Sequence, residues 1–381
     1  MKSMSDKNTL GVGMIGYKFM GKAHSNAWRQ VTPFFEPPLT PRLKVVCGRE
    51  RDKVERMAQR WGWERAVTDW RAVIDDPDVG LVDICSPNNT HREIALAALA
   101  AGKMVACEKP LAMNGAEARQ MAAAARASGK TNTVWFNYRR VPAIAFARQL
   151  IDEGRIGHVY HFRALYLQDW TLDPTVPLLW RMDKDVAGSG VTGDLLSHIV
   201  DLSNYLAGEI TSVAGASRIF VNERERPEGG RASVEIEDAS VFVCRYANGA
   251  LGHFEATRFA NGRKNANTFE VNGELGSLYF NLEDMTRLWY FDSHDPKHVQ
   301  GWRELRVWEE SHPYMKNWWV PGCSIGYEHT FTNQAADLLN AIATGSRMQP
   351  DFEDGLKCQL VLDAVLKACA SDRWVNVEKH T

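Results

Sequence analysis

A segment rich in glycine lies close to the start of the chain and reads Leu10-Gly-Val-Gly-Met-Ile-Gly16-Tyr-Lys-Phe-Met-Gly21. Its first six residues predict a short buried strand, and Gly21 to Val31 predicts a helix behind the turn. The turn fits the pattern G-x-G-x-x-G only if Lys18 takes the place of the second glycine. In that pattern the helix N-terminus presents backbone N–H groups to a pyrophosphate. The alternative is a strand, turn and helix without a ligand.

Short apolar runs and helical stretches alternate from this turn up to about Asn137. Further strands are predicted at Leu43–Cys47, Leu81–Cys85, Met104–Cys107 and Thr133–Phe136. Helices are predicted at Arg51–Trp61, Thr90–Ala101 and Gly115–Ser128. This alternation is typical of a parallel sheet with helices on both faces. Because the glycine turn stands at its start, we predict a dinucleotide-binding domain over residues 10–137.

Strands dominate the second half of the chain, after a predicted helix at Ala143–Glu153. They are predicted at Val159–Leu167, Val213–Phe220, Ala239–Arg245, Leu251–Phe259, Thr268–Val271, Ser277–Asn281 and Leu288–Phe291. Asn248-Gly249 and Asn272-Gly273 predict hairpin turns. Two predicted helices, at His329–Thr344 and Asp351–Ala370, follow. We expect an α/β protein with a second, mostly antiparallel sheet domain over residues 138–381, and a disordered start over residues 1–9.

Composition restricts the class of protein. The chain has 381 residues with 45 basic and 47 acidic side chains, a formal net charge of −2. This balance argues against a nucleic-acid partner, because phosphate binding leaves a basic footprint. No apolar run approaches the roughly 20 residues that cross a membrane. The seven cysteines are an odd set without a C-x-x-C pair, so we predict no metal and no disulfide framework, and expect a cytoplasmic location.

The end of the second strand bears on the choice of cofactor. It reads Cys47-Gly48-Arg49, where dinucleotide-binding domains often carry an acid that hydrogen-bonds the adenosine ribose. Because these residues include no carboxylate and Arg49 can reach a 2′-phosphate, we expect NADP to be accepted as well as NAD. The alternative is that Arg49 stacks on adenine or points to solvent.

Three later segments carry candidate chemistry. They are Ser86-Pro-Asn-Asn-Thr-His91, Glu108-Lys109-Pro110 and Ala187-Gly-Ser-Gly-Val-Thr-Gly-Asp194-Leu-Leu-Ser-His198. Lys109 follows the carboxyl end of a predicted parallel strand, where ligands bind in open sheets. Asp194 and His198 are four residues apart, so a helix places them on one face, where the carboxylate can support a charged imidazole. Singly, Lys109 is typical of a surface charge and His198 of a buried structural histidine, but together they indicate an active site.

These segments together resemble the Gfo/Idh/MocA family of oxidoreductases over nearly the whole chain. The resemblance rests on the glycine turn, Glu108-Lys109-Pro110, Trp180-Arg181 ahead of Ala187-Gly-Ser-Gly190, and the pair Asp194 and His198. It implies a Rossmann domain, NAD or NADP as cofactor, and a second α/β domain whose large open sheet often joins a homodimer or homotetramer. It also implies that Lys109, Asp194 and His198 form the catalytic set.

The resemblance also predicts the residues that contact the ligands. The cofactor contacts are Gly16, Lys18, Phe19, Met20, Arg49, Ser86, Asn88, His91, Glu108, Asn137, Trp180 and Arg181. The substrate contacts are Lys109, Tyr138, Gln168, Trp170, Asp194 and His198. Within the family, Asn137–Arg140 and Tyr166–Trp170 look most like sugar dehydrogenases. Aromatic rings such as those of Trp170, Trp180 and Tyr138 suit the C–H faces of a sugar, and Gln168, Asp169 and Arg181 suit its hydroxyls.

The residue types predict a mechanism for oxidising a secondary alcohol. Such an alcohol loses hydride only as its hydroxyl proton departs, because the developing carbonyl needs the electrons of the oxygen. We expect His198, supported by Asp194, to be the general base, and Lys109 to stabilise the oxygen as negative charge develops. The roles of His198 and Lys109 can also be exchanged.

Two classes of enzyme share this catalytic set. The first, which we favour, is a dehydrogenase that oxidises a cyclic sugar or glycoside, expected at C3, and releases a ketosugar. The second is a redox-neutral glycosidase, in which transient C3 oxidation acidifies the C2 proton, the aglycone is eliminated, water adds and the hydride returns. Arg139, Arg140, Arg181 and Lys184 also admit an anionic sugar. A cofactor-sensing protein without activity conflicts with the intact catalytic set.

Overall fold

The computed structural model describes residues 8–380, which form two compact units. The first unit comprises residues 8–112, 116–140 and 326–356, and the second comprises residues 113–115, 141–325 and 357–380. The segment 326–356, which the sequence analysis placed in the second domain, thus belongs to the first compact unit. Of the predicted disordered start, residues 1–7 lie outside the described residues, and Thr9 begins the first strand.

The first unit contains a parallel sheet of six strands, which confirms the predicted fold class. Its strands are β1 (Thr9–Ile15), β2 (Thr40–Cys47), β3 (Arg65–Val67), β4 (Leu81–Ile84), β5 (Met104–Cys107) and β6 (Asn132–Val134). They lie in the order β3-β2-β1-β4-β5-β6, so the direction of the strand order reverses at β1. In such sheets a dinucleotide binds outside the carboxyl ends of the strands at this reversal. The sequence missed β3, because three residues form no recognisable apolar run.

The second unit is built on a sheet of nine strands. Its strands are β7 (Val159–Leu167), β8 (Ile210–Arg218), β11 (Ala239–Tyr246), β12 (Leu251–Thr257), β13 (Ala266–Gly273), β14 (Gly276–Asn281), β15 (Arg287–Asp292), β16 (Arg303–Arg306) and β17 (Val375–Asn376); β9 (Glu223–Glu225) and β10 (Arg231–Ser233) form a separate pair. The order is β16-β15-β14-β13-β7-β12-β11-β8-β17. β7 and β12 pair in parallel, and the other neighbours pair antiparallel. The mostly antiparallel sheet is therefore confirmed.

Helices accompany the strands in both units. Along residues 8–380 they are α1 (Phe19–Phe35), α2 (Arg51–Trp61), α3 (Arg71–Ile74), α4 (His91–Ala100), α5 (Gly115–Ser128), α6 (Pro142–Asp152), α7 (Lys184–Ala187), α8 (Ser197–Leu206), α9 (Tyr327–Thr344) and α10 (Phe352–Ser371). Within the first unit α9 packs against α1. None of the helices in the described part of the chain is both long and apolar enough to span a bilayer.

The two faces of the nine-stranded sheet differ. Along β11, Phe242 and Cys244 are buried, whereas the alternate residues Val241 and Val243 are 45% and 47% exposed. On the covered face α8 contacts β7, and α6 contacts β14 and β15. The sheet therefore has helices on one face and apolar side chains in solvent on the other, because successive residues of a strand point to opposite sides.

The two predicted hairpin turns have different outcomes. Asn248-Gly249 connects β11 to β12, with Gly249 at φ 88°, as predicted. Asn272-Gly273 is not a turn, because both residues still belong to β13 and the chain reverses after them. Gly273 serves a close approach instead, since a Cβ there would lie 2.1 Å from the carbonyl oxygen of Ile156.

Candidate active site

Two glycines fix the turn between β1 and α1. Gly16 has a φ of 116°, and a Cβ at this position would lie 2.5 Å from the carbonyl oxygen of Cys85. A Cβ at Gly21 would lie 2.4 Å from the carbonyl oxygen of Gly16. The turn, the end of β4 and the first turn of α1 thus leave no room for side chains at these positions. Such a bare backbone beside a helix N-terminus fits the pyrophosphate of a dinucleotide.

The start of α1 presents the three residues between these glycines that were predicted to contact the cofactor. Lys18, at the second glycine position of the pattern, is the N-cap of α1 and is exposed. Phe19 is 62% exposed, and its ring stacks on that of Tyr327 with 6.2 Å between the centroids. Met20 is half-buried and packs against the core of the unit. Because Lys18 lies in solvent, a side chain is accommodated there without displacing the turn.

A carboxylate that the sequence analysis overlooked stands just after β2. Glu50 accepts a hydrogen bond from the Tyr17 hydroxyl at 2.8 Å, and its other carboxylate oxygen lies 2.5 Å from Lys53 Nζ. The hydrogen bond from Lys53 lowers the pKa of Glu50. Arg49 is exposed, and a Cβ at Gly48 would lie 2.0 Å from the Tyr17 ring. The end of β2 therefore combines an arginine with an acid one residue later.

His91 connects the loops that follow β4 and β5. Its ring is fully buried, with Nδ1 3.0 Å from the Pro110 carbonyl oxygen and Nε2 2.9 Å from the Ser86 carbonyl oxygen. Burial lowers the pKa of His91, so the neutral ring donates to one of these oxygens at a time. The Ser86 hydroxyl lies 2.6 Å from that of Thr90, and Asn88 is buried in the intervening 3-10 helix. The structure thus places His91 as a link between loops.

A buried hydrogen-bond network joins α1 to β4 and to the residue that follows β5. The Nδ1 atom of His24 lies 3.0 Å from both carboxylate oxygens of Asp83, and Nε2 lies 2.9 Å from Glu108 Oε1. Asp83 also accepts hydrogen bonds from the indole N–H groups of Trp28 at 2.8 Å and Trp135 at 2.9 Å. Because each ring nitrogen of His24 faces a carboxylate, the doubly protonated imidazolium satisfies the network.

The charge of His24 follows from its neighbours. Burial acts to lower the pKa of His24, but the interactions with Asp83 and Cys85 together outweigh burial, and the pKa lies well above its ordinary value. Cys85 Sγ lies 3.1 Å from Nδ1, and burial raises the pKa of this thiol, which stays protonated. The donor atoms of His24, Asp83 and Cys85 lie within 4.8 Å of one another. Since the imidazole and the carboxylate already bond each other and two indoles, we assign this cluster to structure.

Glu108 connects the buried network to Lys109. Its second carboxylate oxygen, Oε2, accepts the backbone N–H of Lys109 at 3.1 Å. Glu108 is 5% exposed, so its carboxylate is committed to His24 and to this peptide. The network therefore fixes the backbone from which the Lys109 side chain leaves, at the carboxyl end of β5.

Asn137 and Tyr138 lie on a short 3-10 helix after β6, and both are buried. Asn137 Nδ2 donates a hydrogen bond to Thr330 Oγ1 at 2.8 Å. The Tyr138 ring meets that of Tyr327 edge-on, with 6.4 Å between the centroids. Both residues are thus held by α9, which belongs to the same unit although it lies far along the chain.

Asp194 and His198 lie on two successive helical segments of the second unit. Asp194 belongs to the π-helix Thr192–Leu196, and His198 lies in the first turn of α8, which follows directly. The prediction assumed one regular helix, whereas a π-turn bonds residues five apart and is frequent at functional sites. The His198 ring is 7% exposed and lies edge-on to Tyr166, with 5.7 Å between the centroids. Asp194 Oδ2 accepts a hydrogen bond from Arg258 Nη2 at 2.7 Å.

A row of hydrogen-bonded side chains lies at the end of β7. The Tyr166 hydroxyl donates to Asn265 Oδ1 at 2.8 Å, and Gln168 Nε2 donates to the same oxygen at 3.1 Å. Trp170 Nε1 donates to Gln168 Oε1 at 2.8 Å. Because Asn265 accepts a hydrogen bond from the amide nitrogen of Gln168 and Trp170 donates one to its oxygen, the orientation of this amide is defined.

Three other candidates of the second unit, Asp169, Trp180 and Arg181, contact neighbouring side chains or backbone. The Asp169 carboxylate accepts hydrogen bonds from Lys264 Nζ at 2.8 Å and from the Gly262 N–H at 3.0 Å, and the former lowers its pKa. The Arg181 guanidinium lies 4.3 Å from the centre of the Trp180 ring. Asp169 therefore anchors the loop at 262–264, which the sequence did not indicate.

Four residues that support candidate residues were not predicted: His24 and Asp83 in the first unit, and Arg258 and Asn265 in the second. None of them belongs to a recognised motif, and their partners are distant, 59 residues from His24 to Asp83 and 84 to Glu108. One signal was available. Asp83 interrupts the apolar run of β4, and a carboxylate buried in a strand requires a donor.

Replacing His24 with leucine is expected to lower the free energy of unfolding by about 3–5 kcal/mol, because two buried carboxylates lose their cation. Since folding raises the pKa of His24, its contribution is complete below the unfolded pKa of about 6.5 and is lost as the pH rises through the folded pKa. The free energies of unfolding of the wild type and His24→Leu should therefore converge as the pH rises. Urea unfolding of both proteins across neutral and alkaline pH measures this convergence.

The buried neutral His91 supplies the control for this measurement. His91→Leu should destabilise the protein without any convergence with the wild type at alkaline pH. A His24→Leu difference that stays constant from neutral to alkaline pH would contradict the assignment of an imidazolium.

Comparison with known protein families matches both halves of the chain. Residues 10–137 match the oxidoreductase family with an NAD-binding Rossmann fold. Residues 144–279 match the Gfo/Idh/MocA C-terminal domain. Together the two ranges cover more than half of the 381 residues.

Individual relatives are similar over almost the full length. Levoglucosan dehydrogenase from Pseudarthrobacter phenanthrenivorans is 41% identical over 97% of this chain and 98% of its own. The crystal structure of an oxidoreductase domain protein from Kribbella flavida has a TM-score of 0.96 at 50% identity, and covers 98% of this chain and 100% of its own. Levoglucosan dehydrogenase in complex with NADH and levoglucosan has a TM-score of 0.95 at 41% identity, over 97% of this chain and 99% of that one.

Proposed function

Because the chain belongs to the Gfo/Idh/MocA family of NAD-binding oxidoreductases, we propose that it is a dehydrogenase that oxidises one secondary alcohol of a cyclic sugar, at C3. The observation that carries the proposal is the row Tyr166, Gln168 and Trp170 beside His198. It combines a potential base with amide and aromatic groups suited to a polyhydroxylated ring. The 41% identity to levoglucosan dehydrogenase supports the same class of substrate.

The residues around the glycine turn suit NAD, which accepts the hydride when it is bound. Gly16 and Gly21 leave the backbone bare where a pyrophosphate would lie, and α1 supplies N–H groups. Glu108 and His91, which were predicted as contacts, act in this proposal by holding the loops after β4 and β5. The side chains proposed to contact the cofactor directly are Lys18, Phe19, Met20, Arg49, Ser86, Asn88, Asn137, Trp180 and Arg181.

The proposed catalytic roles follow from the chemistry of three side chains. His198 accepts the proton of the substrate hydroxyl, and the ionised Asp194 stabilises the imidazolium that results. The ammonium group of Lys109 stabilises the substrate oxygen while it carries negative charge. Lys109 leaves a backbone that Glu108 fixes, and Arg258 fixes Asp194. Lys109 and Asp194 are therefore both held by residues outside the catalytic set.

Substrate recognition divides between flat and polar groups. Trp170 is 37% exposed and offers an indole face to the C–H bonds of a sugar ring. The amide of Gln168, oriented by Trp170 and Asn265, keeps a second N–H for a hydroxyl oxygen. Tyr138 contributes a further ring. Asp169 and Arg181 are omitted from this set, because Asp169 is committed to Lys264 and Arg181 is proposed for the cofactor.

The proposed function is tested by incubating the purified protein with NAD and three groups of compounds. These are cyclic sugars including levoglucosan, acyclic polyols, and aryl glycosides. Reduced nicotinamide is followed by absorbance, and aglycone release is measured in parallel. We expect reduction with cyclic sugars, little with acyclic polyols, and no sustained aglycone release. Aglycone release without net reduction would favour the glycosidase.

Arg49→Ala is expected to lower kcat/KM for NADP by about tenfold or more, because it removes the cation that binds a 2′-phosphate. The value for NAD should change by less than about threefold. Steady-state kinetics with both cofactors measures the effect, and Arg51→Ala, two residues on and exposed, is the control. An acid introduced by Gly48→Asp cannot be used to repel the 2′-phosphate in this test, because a Cβ at Gly48 would clash with the Tyr17 ring. A wild-type protein that binds NAD but has no measurable affinity for NADP would contradict this role of Arg49.

We propose that the exposed face of the nine-stranded sheet joins copies of the chain into a homodimer or homotetramer. Val241, Val243 and Leu251 are 45–50% exposed on the neighbouring strands β11 and β12, and Trp374 is 45% exposed. An apolar patch of this kind on a sheet face favours association.

Val243→Asp is therefore expected to convert the assembly to a chain of 42.9 kDa in sedimentation equilibrium. A charge placed in an apolar contact loses its hydration, which opposes association. Val299→Asp, at a site that is 64% exposed outside the strands, is the control and should leave the mass unchanged. A mass that stays oligomeric in Val243→Asp would show that the contact lies elsewhere.

The state of the cysteines supports a proposed location. All seven are free thiols. We propose the cytoplasm as the location, because unpaired cysteines are typical of proteins in a reducing compartment.

A further inference from the structure

Arg258, which no motif indicated, contacts three of the candidate residues. It directly follows β12, and its side chain is 2% exposed. Its Nη2 donates to Asp194 Oδ2 at 2.7 Å, and Nη1 donates to the Arg181 carbonyl oxygen at 3.4 Å. The centre of its guanidinium lies 5.1 Å from the centre of the Trp170 ring. One buried cation therefore touches the acid of the catalytic pair, the backbone of a cofactor candidate and the aromatic ring proposed for the sugar.

We propose that Arg258 is a positioning residue that couples two parts of the reaction, the support of the base through Asp194 and the stacking surface of Trp170. The inference rests on the proposed function, because it takes His198 as the base and Trp170 as a sugar contact. It concerns how these groups are held and assigns Arg258 no contact with substrate.

The backbone at Arg258 is held from both sides. Its N–H donates to the Asp238 carbonyl oxygen at 3.1 Å, and its carbonyl oxygen accepts the Thr171 hydroxyl at 3.3 Å. Thr171 follows Trp170 directly. The guanidinium is planar and presents its donors in a fixed fork, so a fixed backbone gives it a defined position. Arg258 therefore has a fixed position and can hold Asp194 and Trp170 in place.

The ion pair determines the state of Asp194. A nearly fully buried guanidinium needs an anionic partner, and the Asp194 carboxylate, whose side chain is 22% exposed, supplies it. Asp194 therefore stays ionised and keeps one orientation, with Oδ2 committed to Arg258. Its other oxygen can support the His198 imidazole only while this orientation lasts. Loss of Arg258 should accordingly lower kcat.

The contact between Arg258 and Trp170 affects KM for the sugar and not kcat. The indole is held between the Arg258 cation on its ring and its own hydrogen bond to Gln168. A cation near the ring stabilises that arrangement by cation–π attraction. Loss of Arg258 should let the indole change its plane, which weakens stacking on a cyclic substrate and raises KM.

Two variants of Arg258 test the inference on the NAD-saturated enzyme, with the cyclic sugar that the wild type oxidises. Arg258→Lys keeps the charge but loses the planar fork, and Arg258→Gln loses both. We expect Arg258→Gln to lower kcat by about 10–100-fold, because a displacement of about 1 Å at an active group can cost about 100-fold in rate, and to raise KM for the sugar. Arg258→Lys should fall between Arg258→Gln and the wild type, and the affinity for NAD should be unchanged.

The decisive comparison is with Asp194→Asn. If Arg258 acts on turnover through Asp194, adding Arg258→Gln to Asp194→Asn should reduce kcat by less than about threefold further, while KM still rises. A residue with a merely structural role would reduce kcat by the same factor in both backgrounds.

Arg224 provides the matched control. It is also fully buried, but its guanidinium donates to the carbonyl oxygens of Thr171, Asp173 and Val176, so these hydrogen bonds end on backbone oxygens and not on candidate side chains. Arg224→Lys should lower the unfolding midpoint and change kcat by less than about threefold.

Additive losses with Asp194→Asn, or an equal loss of kcat in Arg224→Lys, would overturn the role of Arg258 and leave the proposed function standing. Wild-type protein that oxidises no sugar would overturn the proposed function and this inference with it. The two failures are therefore distinguishable.

Discussion

Replacement of His198 or Lys109 by alanine is expected to lower turnover by about two to four orders of magnitude, the scale of losing a proton-transfer or charge-stabilising group. His198 is 7% exposed against Tyr166, and Lys109 follows a carboxylate that fixes its backbone. Neither side chain is proposed to bind NAD, so the affinity for NAD, measured by fluorescence titration, should change by less than about threefold. Asp194→Asn should fall in the same direction, because an amide stabilises an imidazolium less than a carboxylate does.

Lys103 is the matched control for Lys109. It lies at the opposite end of β5, and its Nζ donates to the carbonyl oxygens of Asp76 at 2.9 Å and Val79 at 2.7 Å. Lys103→Ala should lower stability without a comparable loss of turnover. Near-normal turnover in a folded His198→Ala or Lys109→Ala protein would remove that residue from the mechanism.

Gly16→Ala is expected to lower the affinity for NAD by at least about tenfold and to destabilise the protein by about 1–3 kcal/mol, the scale of backbone strain at such positions. The first cause is that a side chain at Gly16 occupies space where the pyrophosphate is expected to lie. The structure adds a second cause, since the new Cβ would lie 2.5 Å from the Cys85 carbonyl oxygen and 3.0 Å from the Ser86 N atom. The end of β4 must therefore move. Calorimetric titration with NAD and urea unfolding measure the two effects.

Gly62→Ala is the control that distinguishes the cost of backbone strain from the cost of the steric conflict at Gly16. It has a φ of 77°, and nothing lies within 4 Å of a Cβ at its position. Gly62→Ala should cost stability by about 1 kcal/mol and leave the affinity for NAD unchanged. A Gly16→Ala protein that binds NAD as tightly as the wild type would place the cofactor away from this turn.

The sequence predicted the fold well wherever a local pattern determines the structure. The runs that became β1, β2, β4 and β5 are mainly apolar because both faces of a parallel sheet are covered, and each of two runs is interrupted by one charged residue, Lys44 in β2 and Asp83 in β4. The three residues of β3 gave no such run. The segment 326–356 could not be assigned to the first unit either, because its attachment depends on contacts such as Thr330 with Asn137, which are 193 residues apart.

The candidate site was predictable only in its motifs. Lys109, Asp194 and His198 were predicted as catalytic residues from short segments, and they remain a proposal, whereas the distant residues that support them were not predicted. His24 reaches Glu108 over 84 residues, and Arg258 reaches Asp194 over 64. Such contacts depend on which strands are neighbours, and spacing in the sequence carries no trace of them. The π-helix at Asp194 was missed for a local reason, since its sequence is compatible with a regular helix.

The most direct test that the protein is a dehydrogenase is the stoichiometry of its reaction, in deuterated water, with a cyclic sugar and with the aryl glycoside of that sugar. Reduced nicotinamide, ketosugar and the deuterium content of the sugar at C2 are measured over many turnovers. A dehydrogenase forms reduced nicotinamide and ketosugar in equal amounts, needs NAD in proportion to product, and introduces no deuterium at C2 as a step of the reaction. Turnover sustained by substoichiometric NAD, with deuterium at C2 of a released sugar, would contradict it.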